Sequence, residues 1–119
     1  GAAGHADAAQ PAYVRQAMDY MAAHFRERVT LERLSKEISI NKYYLQKLFT
    51  RHAGLSPYGY LAALRVAHAK ELLRMTEIPV SAVAAETGIE TVSHFIKLFR
   101  AHEGITPAEY RRVWKTRRD

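Results

Sequence analysis

The chain has 119 residues, with 18 Lys plus Arg against 12 Asp plus Glu, a formal net charge of +6 and no cysteine. This length fits a single domain. The lack of cysteine excludes a disulfide framework, thiol catalysis and cysteine-based zinc sites, and no run of about 18 apolar residues exists for a membrane span. A cationic surplus at this size favours a polyanionic partner, of which nucleic acid is the commonest.

The opening GAAGHADAAQ is small and polar, without an initiator Met or a cationic-then-apolar leader pattern. Residues 1–10 are read as a disordered tag remnant or linker on a piece cut from a longer protein. Pro11 suits a first helical turn. Tyr13, Val14, Ala17, Met18, Met21 and Phe25 then recur at helical spacing, which predicts helix one over about 12–27. Thr30 caps a short helix two with Leu31, Leu34 and Ile38 on one face. After a break at Ser39-Ile40, Asn41 caps helix three, over about 42–52. Gly54 ends it, as glycine does just past a helix. Ser56-Pro57 open a long helix four to about 74, roughly 27 Å at the usual rise per residue. Pro79 starts helix five, with Val80, Val83 and Ala84 inward, and Gly88 ends it. Thr91 caps helix six, which runs to about 102 and breaks at Gly104. Thr106-Pro107-Ala108-Glu109 is a capping box with proline at the first helical position, opening helix seven to about Lys115 before a fraying tail.

No segment alternates as a strand does, so the expected fold is all-α with seven helices. Helices two and three, and again five and six, each form a short helix, a tight turn and a second helix: a helix-turn-helix. The predicted division is a first helix-turn-helix subdomain over 11–55, a linker helix over 56–75 and a second helix-turn-helix subdomain over 76–119.

The chain also repeats itself. Residues 43–61 (YYLQKLFTRHAGLSPYGYL) and 93–111 (SHFIKLFRAHEGITPAEYR) align at an offset of 50, with Lys, Leu, Phe, His, Gly, Pro and Tyr identical at matched positions. One supersecondary unit is therefore used twice. In helix three Leu45, Leu48, Phe49 and His52 form an expected buried stripe; in helix six Phe95, Leu98, Phe99 and His102 do the same. The opposite face of helix three centres on Tyr43, Lys47 and Thr50, flanked by Tyr44, Gln46 and Arg51. That of helix six centres on Ser93, Lys97 and Arg100, flanked by His94 and Ile96. Each face mixes cations, hydrogen-bonding groups and an apolar group. A major-groove reader needs that mixture: cations for guanine edges or phosphates, an amide for adenine and an apolar surface for the thymine methyl.

The stretch Ala84-x-x-x-Gly88-Ile89-x-x-x-Ser93-His94-Phe95-x-Lys97-x-Phe99-x-x-x-x-Gly104-Ile105-Thr106-Pro107-x-x-Tyr110-Arg111 resembles the signature of the AraC/XylS family of bacterial transcription regulators. Leu31-x-x-Leu34 through Tyr60 is similar to that family's first helix-turn-helix, and the likeness covers about residues 12–115. The resemblance implies two homeodomain-like helix-turn-helix subdomains joined by a linker helix, with recognition helices entering successive major grooves. It makes Tyr43, Gln46 and Lys47, and Ser93, His94, Ile96 and Lys97, the expected base readers. Lys42, Arg51 and Arg100, with helix N-termini, are the expected phosphate contacts. The expected partner is double-stranded DNA of about 20 base pairs, with two boxes about one helical turn apart.

The sequence departs from the family pattern in four places. Ser35 replaces the usual Ala and is expected to bond back to its own helix at little cost. Ile89 replaces an aromatic residue, and Lys47 and Lys97 replace arginines, losing the bidentate fork. The first turn is one residue shorter than the second, since Ile40 aligns with Ile89 at an offset of 49.

No Ser/His/Asp order, phosphate loop, carboxylate pair in a cleft-forming context or His-x-x-x-His pair is present, so neither an enzyme nor a metal or other cofactor is expected. The competing class is a helical interaction module that contacts RNA polymerase or another regulator. Lys47 and Lys97 at the centre of both faces suit DNA better than an apolar protein groove. The fragment is expected to be monomeric, cytoplasmic and nucleoid-associated, with any sensor or dimerisation domain before residue 1.

Overall fold

The computed structural model describes residues 11–118; the expectations for residues 1–10 and for Asp119 lie outside the described residues. Among these, the chain forms seven helices and no strand: α1 (Ala12–His24), α2 (Leu31–Ile38), α3 (Lys42–Ala53), α4 (Pro57–Met75), α5 (Val80–Thr87), α6 (Val92–Glu103) and α7 (Pro107–Arg118). No helix of the described residues is long and apolar enough to cross a membrane.

The helix starts follow from capping side chains that satisfy otherwise orphaned N–H groups, each worth about 1 kcal/mol. Thr30 Oγ1 accepts from the Arg33 N–H at 3.1 Å. Asn41 Oδ1 accepts from Tyr43 and Tyr44 at 2.9 and 3.1 Å. Thr91 Oγ1 accepts from His94 at 3.1 Å. At the start of α7 the capping box is complete in both directions: the Thr106 N–H donates to Glu109 Oε1 at 2.8 Å, and the Glu109 N–H donates to Thr106 Oγ1 at 3.2 Å. The matched start of α4 has only half of this device, Gly59 donating to Ser56 Oγ at 3.0 Å, because glycine stands where the second copy has Glu109. Ser35 Oγ donates to the Glu32 carbonyl at 2.8 Å, the back-bond expected of it.

The two interhelical turns differ as the offset predicted. Ser39, Ile40 and Asn41 separate α2 from α3, whereas Gly88, Ile89, Glu90 and Thr91 separate α5 from α6. Both turns open on a left-handed residue, Ser39 at φ 62° and Gly88 at φ 85°.

The chain divides into two compact units, the first comprising the described residues to His24 and Val29–Leu61, the second Phe25–Arg28 and the residues from Ala62 onward. In the first, α1, α2 and α3 pack pairwise, with Val14, Ala17, Met21, Leu34, Leu45, Phe49 and Leu61 buried. The Phe49 ring meets that of Tyr60 edge-on, with centroids 5.6 Å apart. In the second, Val66, Ala69, Leu73, Val83, Ala84, Ile89, Phe95, Phe99 and Tyr110 form one core, with Leu72, Ile78, Val80, Ile96, Leu98 and Ile105 packed against it. Ile89 is buried in this core.

Three expectations are corrected. Helix α1 stops at His24 rather than near 27, and the next four residues belong to the second unit. There Arg65 donates through Nε to the Phe25 carbonyl and through Nη2 to the Glu27 carbonyl, each at 2.9 Å. Phe25 also lies edge-on to His68, with centroids 5.2 Å apart. These carbonyls are thus satisfied by a guanidinium instead of by further helix.

His52 and His102 are exposed, not buried. The inward row of α3 continues from Leu45 and Phe49 to Ala53, and that of α6 from Phe95 and Phe99 to Glu103, which pairs with Lys70 at 3.2 Å. The stripe follows the i, i+4 ridge instead of stepping back by three at the helix end.

Helix α7 continues past Lys115 to Arg118. Its cations work on the end of α4: Arg111 Nε donates to the Leu73 carbonyl and Lys115 Nζ to the Thr76 carbonyl, both at 3.2 Å, and Lys115 also pairs with Glu77. Cations beside the last carbonyls of a helix suit its dipole.

Candidate nucleic-acid interface

In the first unit, Asn41 fixes the first turn of α3 and Phe49 and Leu45 fix its inward side. The residues left outside are therefore set by the helical period. Tyr43 is 70% exposed. The Lys42 ammonium stands 5.3 Å from its ring centre, a cation–π contact that covers one face of the ring. Gln46, Lys47, Thr50 and Arg51 are exposed, and with Tyr43 they line one open, shallow concavity. All the α3 residues expected to read bases thus share a single surface. Lys42 is half-buried at its edge.

Tyr44 flanks this surface and is half exposed, its ring centre 6.2 Å from that of Tyr13. A hydrogen bond to Tyr44, and then repulsion between the two phenolates, holds the Tyr13 hydroxyl above the ordinary tyrosine range.

In the second unit Thr91 plays the part of Asn41, and Ser93, His94, Lys97 and Arg100 are exposed on the outer side of α6. Ile96 is not with them: it is half-buried and packs against the core of its unit. Its repeat mate, Gln46, is exposed. The outer face of α6 is therefore more polar than the sequence suggested.

The basic end of α7 is also partly spent. Arg111 and Lys115 are held by carbonyls at the end of α4, and the Arg74 guanidinium, 2.9 Å from the Tyr110 hydroxyl, lies 5.2 Å from the Trp114 ring centre. These partners are 36 or more residues away in sequence. Only the composition of α7, cations at i and i+4 beside an aromatic residue, hinted at a packed rather than a solvated helix.

Two helix-turn-helix units, each presenting a lysine at the centre of its second helix, define a tandem helix-turn-helix protein. A family model described as a helix-turn-helix domain matches residues 34–113. The uncharacterized HTH-type transcriptional regulator YdiP of Escherichia coli K12 is 35% identical over 102 residues, which is 86% of this chain and 34% of that protein. The chain thus spans about a third of the length of the curated relatives it matches. Among solved structures, the C-terminal domain of AraT, a response regulator from Geobacillus stearothermophilus, superposes with a TM-score of 0.85 at 30% identity, covering 87% of both chains. The DNA-binding domain of AdpA, a global transcriptional factor solved in complex with a target DNA, superposes with a TM-score of 0.84 at 25% identity, covering 88% of this chain and 95% of that one. The chain belongs to the AraC/XylS family of helix-turn-helix transcription regulators.

Proposed function

We propose that this chain is the sequence-specific, double-stranded-DNA-binding part of a bacterial transcription regulator and acts at the nucleoid. The observation that carries this reading is the recurrence, 50 residues apart, of an exposed lysine-centred face on the second helix of a capped helix-turn-helix. Tyr43, Gln46 and Lys47 read one short box, and Ser93, His94 and Lys97 read a second, about one helical turn away on a site of about 20 base pairs. Ile96 props α6 from the core side. Lys42, Arg51 and Arg100 hold phosphates, fixing register without carrying sequence information. The fragment binds as a monomer, each unit occupying its own box.

A second reading, contact with RNA polymerase or another regulator, rests on Met75, Val113 and Trp114, exposed apolar residues of the second unit that no base-reading role uses.

The test is selection of this fragment on a randomised duplex library of about 30 base pairs at two salt concentrations. Two enriched boxes about one turn apart are expected. Binding without enrichment, lost steeply with salt, would leave phosphate contact as the whole of the interaction and sink the sequence-specific reading.

A further inference from the structure

The two outer faces occupy matched positions of one sequence repeat, yet they do not carry the same chemistry. At matched positions, exposed Tyr43 corresponds to exposed Ser93, half-exposed Tyr44 to exposed His94, and exposed Gln46 to half-buried Ile96. Lys47 and Lys97 are common to both and distinguish nothing. The α3 face therefore holds a broad aromatic surface and a side-chain amide within one concavity, and the exposed α6 residues Ser93, His94, Lys97 and Arg100 include neither an aromatic hydrocarbon ring nor an amide.

Base edges in the major groove respond differently to these two sets. Adenine presents an acceptor beside a donor, which an amide matches with two bonds, and its partner thymine presents a methyl group that needs an apolar neighbour. Guanine presents two acceptors and no methyl, which suits side chains that donate. Gln46 and the Tyr43 ring fit the first pattern. Ser93 and His94, which can donate where α3 has tyrosine rings, fit the second beside the shared lysine.

We infer that the two boxes differ in kind: the α3 box is built on A·T steps and is read through a thymine methyl on Tyr43 and an adenine edge on Gln46, whereas the α6 box is built on guanine. This rests on the sequence-specific reading above and assigns each half of the site its bases. The Lys42 ammonium over the Tyr43 ring has a part in it as well, since it leaves the other ring face for DNA.

The experiment starts from the duplex selected by the intact fragment. Lys47→Ala and Lys97→Ala, both at exposed positions, assign the boxes by showing which loses its enrichment. Deoxyuridine then replaces thymine, removing only the methyl, and 7-deazaguanine replaces guanine, removing only the N7 acceptor. Deoxyuridine in the α3 box is expected to weaken binding about fourfold, the value of one buried methyl. 7-Deazaguanine in the α6 box is expected to weaken it about tenfold. Tyr43→Ala should erase the deoxyuridine response, and Tyr43→Phe, which keeps the ring, should preserve it. An α3 box indifferent to deoxyuridine, a response surviving Tyr43→Ala, or guanine and A·T steps in the opposite boxes would each overturn this inference while sequence-specific binding stands. A selection that enriches no box would overturn the reading beneath it as well.

Discussion

The ring of Phe99 meets that of Tyr110 edge-on, with centroids 5.5 Å apart and planes at 75°. Fifty residues earlier, Phe49 and Tyr60 repeat the arrangement at 5.6 Å and 73°. In each unit this pair joins the second helix of the helix-turn-helix to the helix after the glycine turn, so the orientation of the outer face depends on an aromatic contact on the inner one. Edge-to-face pairs contribute about 0.5–1.5 kcal/mol beyond the area they bury.

Phe99→Ala should destabilise the protein by about 3–5 kcal/mol, the cost of a large cavity at a fully buried site. Urea unfolding measures it directly. A loss below about 1 kcal/mol would mean that the helix can repack without the ring, and the face assignment of α6 would fall with it.

Gly88 and Gly104 should respond unequally to alanine. Both have positive φ, 85° and 84°, and share the left-handed penalty of about 1–2 kcal/mol. A Cβ on Gly104 meets nothing within 4 Å, whereas one on Gly88 would stand 2.5 Å from the Arg26 carbonyl oxygen and 2.7 Å from its carbon. Gly88→Ala should therefore cost a further 1–3 kcal/mol or so, as overpacking does. Equal drops in the two melting temperatures would contradict the close approach.

Glu109 gives the second unit a pH dependence. The Thr106 backbone N–H, and then the Thr106 side chain, hold its carboxyl below the ordinary glutamate range, with Arg112 and Arg100 adding to the effect against desolvation. A carboxyl lowered in the folded state contributes fully above its unfolded value, and the contribution is lost as pH falls through the folded one. Stability of the native chain should exceed that of Glu109→Gln near neutral pH, and the two curves should converge as the medium is acidified through and below about pH 4. Parallel curves over that range would show that the carboxylate charge contributes nothing to the cap.

Lys97→Ala and Lys47→Ala should each weaken specific binding by about 1–3 kcal/mol and relax preference at one base position. Competition binding against single-base variants of the selected site separates the outcomes. A loss uniform across all sequences, with a smaller salt slope, would move that lysine from base to phosphate.

The helical plan was legible because its signals are local. Asn41, Thr91 and the Thr106–Glu109 box are short-range capping devices, and the left-handed residues Ser39, Gly54, Gly88 and Gly104 fall where a helix stops. Tyr43, Gln46 and Lys47 were legible as an outer face because buried Leu45 and Phe49 fix the phase of α3. What could not be read depends on partners distant in sequence. Nothing near Phe25 announces that Arg65, 40 residues on, will take its carbonyl and end the helix. Nothing near Lys115 announces the Thr76 carbonyl 39 residues before it. Ile96 and Gln46 occupy the same helical phase, yet only Ile96 packs against a core. An apolar side chain at the margin of a face leans inward when there is core to receive it, and period alone does not report whether there is.

The four residues Phe25–Arg28 alter how this molecule can be taken apart or rebuilt. The sequence repeat suggests two cassettes, with a natural cut in the long helix between them. The second cassette nevertheless keeps its floor, the peptide beneath Gly88, inside the first one's sequence. A hybrid regulator that grafts a foreign second half at α4 would set a stranger's turn against this chain's Arg26 carbonyl. Recombination that respects the fold must exchange the loop between α1 and α2 along with the second half, so each half evolves partly under the other's constraint.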